Sequence, residues 1–108
     1  MDRKDQIKAL LVDAPGDSFL RFALAKEYEK GGEDAGAVGM YESIGTDDPN
    51  YVGTYYHWGK ALERLARPAA AWRVYSKGIE IAGKLGEDHA RRELLGARFE
   101  LGDEEDFV

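Results

Sequence analysis

The chain has 108 residues, no cysteine, 44% hydrophobic and 11% aromatic residues, and 21 acidic against 15 basic side chains for a net charge of −6. That length holds one domain with one core, that composition is too apolar for a disordered chain, and the lack of thiols excludes a disulfide framework, a thiolate metal site and thiol redox chemistry. The negative balance argues against nucleic acid as a partner, no apolar run reaches the roughly 20 residues a membrane helix needs, and Met1-Asp2-Arg3-Lys4-Asp5 has no signal-peptide pattern, so a soluble cytoplasmic protein away from membranes is expected.

Six helices are predicted, at about residues 3–13, 18–30, 34–45, 52–66, 68–84 and 88–101. The second begins behind Pro15-Gly16, where Asp17 suits an N-cap, and it ends at Gly31-Gly32. Pro68 fits the first turn of the fifth. In the sixth, Ala90, Leu94, Ala97 and Leu101 form one apolar stripe, covered on the other side by Asp88, Arg91, Arg92 and Glu100, which reads as a capping helix. An acidic tail, residues 103–108, follows. Eight glycines fall within or near these helices: Gly36, Gly39, Gly45, Gly53, Gly59, Gly78, Gly83 and Gly96. Each interior glycine costs about 1 kcal/mol relative to alanine, so modest stability is expected, and only Gly59 has an evident packing reason.

Shifted by 34 residues, the sequence pairs Pro15 with Pro49, Lys26 with Lys60, Glu29 with Glu63, Ala35 with Ala69, Ala37 with Ala71 and Tyr41 with Tyr75. Similar pairs fill the gaps: Phe22 with Tyr56, Leu24 with Trp58, Ala25 with Gly59, and Lys30 with Arg64. The first helix joins the pattern, with Ile7 and Leu10 lying 34 residues before Tyr41 and Ile44. A small residue at Ala25 or Gly59 lets two helices approach, and Tyr28 or Leu62 with Tyr41 or Tyr75 fills the space around the contact.

These residues resemble the tetratricopeptide repeat, whose 34-residue unit runs Trp-x2-Leu-Gly-x2-Tyr, then Ala-x3-Phe, then Pro. One copy reads Leu24-Ala25-x2-Tyr28, Ala37-x3-Tyr41 and Pro49; the next reads Trp58-Gly59-x2-Leu62 and Ala71-x3-Tyr75. The leading Trp is replaced by Arg21 and Tyr55, and Gly83 stands where the second closing Pro would come. The resemblance implies an all-α fold, a right-handed superhelix of antiparallel helix pairs. Its parts would be a half-repeat at 3–16, repeats at 17–50 and 51–84, and the cap at 88–101. It also implies a non-enzymatic scaffold that binds a protein or peptide, the alternative being a self-associating structural module.

Catalytic chemistry finds little support. Gly78-Ile79-Glu80-Ile81-Ala82-Gly83-Lys84 has the spacing of a phosphate-binding loop, but Leu85 replaces the magnesium-binding Ser or Thr and the segment reads as helix. His57 and His89 have no adjacent nucleophile or carboxylate arrangement, and Asp47-Asp48 and the tail lack the converging oxygens a calcium ion requires. No catalytic residue, cofactor or metal is therefore expected.

In the family that the sequence resembles, the first helix of each pair lines a concave groove. That role falls on Phe19, Phe22, Ala23, Lys26, Glu29 and Lys30, and on Gly53, Tyr56, His57, Lys60, Glu63 and Arg64. The peptide-contacting set is then Phe22, Lys26, Lys30, Tyr56, His57, Lys60 and Arg64. Its four cations against Glu29 and Glu63 make the expected partner acidic and aromatic. Apolar surface at Phe99, Phe107 and Val108 makes a monomer or a weak homodimer the expected state.

Overall fold

The computed structural model describes residues 2–107. Among them are seven helices: α1 (Arg3–Asp13), α2 (Ser18–Lys30), α3 (Asp34–Asp47), α4 (Gly53–Arg64), α5 (Pro68–Leu85), α6 (Asp88–Leu101) and α7 (Glu104–Phe107). No strand occurs among the described residues. Within α1–α6 each helix packs against the next, and the short connections make neighbours antiparallel, in a body of 46 × 30 × 20 Å.

Local chemistry explains several helix ends. Asp17 caps α2, its carboxylate accepting from the Leu20 amide at 2.9 Å, and Asp2 caps α1 through the Asp5 amide at 2.8 Å. Three helices end alike: the Glu33, Arg67 and Glu87 amides donate to the carbonyls of Tyr28, Leu62 and Ala82. The residue between, Gly32, Ala66 or Gly86, is left-handed, with φ of 74°, 58° and 71°. Pro49 follows shortly after α3, whereas no proline stops α5, so that helix runs through Gly83 to the turn at Gly86.

The core is one cluster in which Ala25, Ala37, Tyr41, Ile44, Tyr55, Ala61, Leu62, Ala71, Tyr75, Ala82 and Leu94 are buried. The family's small-against-large pairing recurs at its centre. A Cβ on Gly59 would overlap the Tyr75 ring, while Ala25 holds the equivalent place below Tyr41. Gly59 is not the only helical glycine with a packing role. A Cβ on Gly78 would lie 2.5 Å from that of Tyr55, and one on Gly45 would lie 2.8 Å from the Trp58 ring. Gly39, Gly53 and Gly96 face open space.

Where the family places its leading tryptophan, Arg21 is buried and ties α2 to α3, donating to Ser43 at 2.5 Å and pairing with Asp47 at 2.8 Å. Tyr55 fills the same place in the next pair and donates to the Pro49 carbonyl at 2.6 Å. Beyond α6, the acidic segment is not wholly extended. Residues 104–107 form a helical turn whose Phe107 stacks on Trp72, with ring centroids 6.1 Å apart. Val108 lies outside the described residues.

Candidate functional site

Residues 56, 57, 60, 63 and 64 share one side of α4, and residues 22, 26 and 29 share one side of α2, so both helices offer a polar-aromatic face away from the packed core. The structure brings Phe22, Lys26, Tyr56 and His57 together. The His57 ring meets Phe22 edge-on at 5.4 Å and Tyr56 edge-on at 5.6 Å between centroids. The Lys26 ammonium lies 3.2 Å from His57 Nδ1. An ammonium can only donate, so Nδ1 accepts and the ring proton belongs to Nε2. Burial, reinforced by Lys26, pushes the His57 pKa below its ordinary value of 6.5. The imidazole is thus a neutral ring near neutral pH, suited to stacking.

Two tyrosines that the repeat pattern does not place in the groove complete the cluster. Tyr41, a core residue by pattern, stacks on His57 at 6.5 Å between centroids and donates its hydroxyl to Glu29. Burial and that bond raise its pKa far above the ordinary range, so it stays a donor. Tyr51 lies 5.9 Å from Phe22, and a cavity of about 400 Å³ opens beside Phe22, Tyr51 and Val52. Periodicity could not have found Tyr51, which belongs to the loop before α4.

The remaining predicted residues disperse. Lys60 lies over the Tyr56 ring at 5.5 Å, and Arg64 reaches back from α4 to Glu29 on α2 and Asp34 on α3, 3.0 Å from each. Lys30 stands apart, its side chain 71% exposed and paired with Glu27 at 3.2 Å. Phe19 is largely exposed. Lys26 and Lys60 each pair with a glutamate one turn on, Glu29 at 3.6 Å and Glu63 at 3.8 Å. Every cation of the predicted set therefore has a carboxylate beside it. The count of four cations against two glutamates overlooks Glu27 and Asp34, which join from neighbouring surfaces.

The arrangement can hold rings and carboxylates. Gly78 through Lys84 lie within α5 with their amides committed to the helix. Among the described residues no group of three or more acidic or histidine side chains could hold a metal ion.

The chain matches no family model and no curated protein. It is similar to solved structures. One is the crystal structure of a tetratricopeptide repeat domain protein from Salinibacter ruber, 41% identical over 79% of this chain and 94% of that one, with a TM-score of 0.75. The solution structure of a tetratricopeptide repeat domain protein from the same organism is 41% identical over 81% and 88%, with a TM-score of 0.77. A protein from Bordetella parapertussis, solved in solution, shares the fold at 23% identity over 94% and 88%, with a TM-score of 0.80.

Proposed function

Because the chain belongs to the tetratricopeptide-repeat family, we propose that it is a non-enzymatic scaffold whose α2–α4 groove binds a segment of another protein carrying aromatic and acidic side chains. The helical repeat is a scaffold of a kind generally involved in protein interaction. The observation that carries the finer reading is the ring cluster of Phe22, Tyr56 and His57 with the Lys26 ammonium against it, all partly accessible and next to a cavity of about 400 Å³. Rigid rings offer contact area at little cost in conformational entropy.

The ion pairs in the groove are one-turn contacts between partly exposed groups, which hold their partners weakly. A ligand carboxylate can take the place of Glu29 or Glu63 beside Lys26 or Lys60, so binding weakens with salt. Two repeats give a short groove, and the expected dissociation constant is micromolar, about −8 kcal/mol or weaker. Fluorescence anisotropy with a panel of labelled acidic, aromatic peptides tests this. At least one binds the native chain, and Lys26→Glu/Lys60→Glu abolishes the amide shifts that it causes on the Phe22–His57 face; shifts there that persist in that variant rule the groove out.

A self-associating module is favoured by one other observation: apolar side chains exposed at both ends of the stack, Leu10 and Val12 on α1 and Phe99 on α6. Sedimentation over a wide concentration range, with Val12→Ser/Phe99→Ser beside the native chain, decides that reading. A dimer weakened by the substitutions supports it, and a monomer throughout excludes it.

A further inference from the structure

On the side of α4 opposite the groove lies a cleft of about 230 Å³, where α3 and α5 both pack on that helix. Its apolar floor comes from Val38, Trp58, Leu62 and Val74, and its rim carries Arg67, Arg73 and Lys77. The floor is built rather than incidental. Gly45 leaves room for the Trp58 ring, which would collide with any Cβ there, and Tyr55 stacks on the same ring at 6.2 Å between centroids.

The cations of the rim differ from those of the groove. Lys26, Lys30, Lys60 and Arg64 each have a carboxylate within 4 Å. Arg67, Arg73 and Lys77 are exposed, and among the described residues their side chains have no ion-pair or hydrogen-bond partner. Lys77 feels only the field of Glu80, whose carboxylate is held by Lys84 at 3.1 Å. One carboxylate, Glu42, shares the rim and pairs with none of the three. Three unpaired cations around an apolar floor, on a chain of net charge −6, form a local field opposite in sign to the whole.

We propose that this cleft is a second docking site, for a short acidic segment of a partner protein that inserts one large apolar side chain against Trp58 between flanking carboxylates. A volume of about 230 Å³ equals roughly eight waters at ~30 Å³ each, room for one aromatic or branched aliphatic side chain but not for a folded element. Arg67 precedes α5, and Arg73 and Lys77 are one turn apart on it, so carboxylates on either side of the anchor meet cations at both ends of the cleft. Since Trp58 and Leu62 point away from Tyr56, His57 and Lys60 around α4, both sites can be filled at once. The scaffold would then hold one partner segment on each face.

The test uses the full chain labelled with ¹⁵N and a capped peptide with one phenylalanine between pairs of glutamates. The expected result is saturable movement of the Trp58 indole signal and of the Val38, Val74 and Lys77 amides. Binding weakens at least tenfold in Arg73→Glu/Lys77→Glu and persists at this face in Lys26→Glu/Lys60→Glu; glycine in place of the phenylalanine also weakens it at least tenfold. The proposal is overturned if shifts are confined to the Phe22–His57 face, if Arg73→Glu/Lys77→Glu binds as well as the native chain, or if the glycine peptide binds equally. Self-association of the native chain that Arg73→Glu/Lys77→Glu abolishes would name a second copy, with its own Asp103–Asp106 run, as the occupant and overturn the assignment to a partner. Loss of groove binding alone would count against the first site and leave these readouts unchanged.

Discussion

The two helix pairs, α2–α3 and α4–α5, use one plan and meet its demands with different residues. In the first, Ala25 lies under Tyr41, a glycine makes the left-handed turn at Gly32, and buried Arg21 ties the pair together through Ser43 and Asp47. In the second, the contact is closer, with Gly59 bare beneath Tyr75; Ala66 accepts the left-handed turn, and the ring of Tyr55 replaces the arginine. Both keep the same cross-helix bond, from Tyr41 to Glu29 and from Tyr75 to Glu63. The repeat therefore preserves geometry, a small residue facing a large ring with a carboxylate at its hydroxyl, more strictly than identity. The first pair leans on polar ties, and the second on close packing.

The largest expected effect breaks the closer contact. Gly59→Leu drives a side chain into the Tyr75 ring and should cost about 3 kcal/mol or more in a denaturant melt, as overpacked cores do. Gly36→Leu, whose Cβ meets the Tyr28 ring at 3.1 Å, should cost less. Equal losses would mean that the two helices do not meet at Gly59. Next come the hydroxyls. Tyr41→Phe should cost about 1–2 kcal/mol, because it strips a donor from Glu29, only 14% exposed; Tyr75→Phe should cost less, because Glu63 is 31% exposed and better hydrated. The reverse order in calorimetry would show that burial does not set the difference between the repeats.

Smaller still is the turn. Ala66→Gly should stabilise by up to about 1 kcal/mol by relieving the left-handed strain, while Gly32→Ala should destabilise by about the same. Two changes of like sign would contradict the equivalence of the turns. The smallest effect is on pH. His57 is harder to protonate in the folded chain than in the unfolded one, so its contribution is intact above the ordinary value of 6.5 and is lost as pH falls below it. Lys26→Met removes a repelling cation and should raise the His57 pKa, visible as a shifted midpoint of its ring proton signals; an unchanged midpoint would separate Lys26 from His57.

Much of the scaffold was legible in the sequence. The ends of α1, α2 and α6 coincide with the periodic segments, because Asp17, Gly31-Gly32 and the stripe from Ala90 to Leu101 are local signals. The fourth helix is shorter than expected, as Arg64 is followed by the Leu65–Ala66 turn, and the fifth runs one residue further for want of a proline. The proposed groove was half legible. Helical spacing gives the face that Phe22, Lys26, Tyr56 and His57 occupy, but not which carboxylates approach from other surfaces. Asp34 reaches Arg64 across 30 residues, and Tyr41 touches His57 from α3. Gly45 and Gly78 looked like helix weaknesses because their neighbours, Trp58 and Tyr55, come from another helix.

If α2 and α4 present a ligand-binding face, an amide chemical-shift map of the native chain during titration with the best-binding acidic, aromatic peptide will outline it. The largest shifts should fall on Phe22, Lys26, Tyr56, His57 and Lys60, with a micromolar midpoint that weakens as salt is added. Shifts absent from those residues at saturating peptide would contradict it.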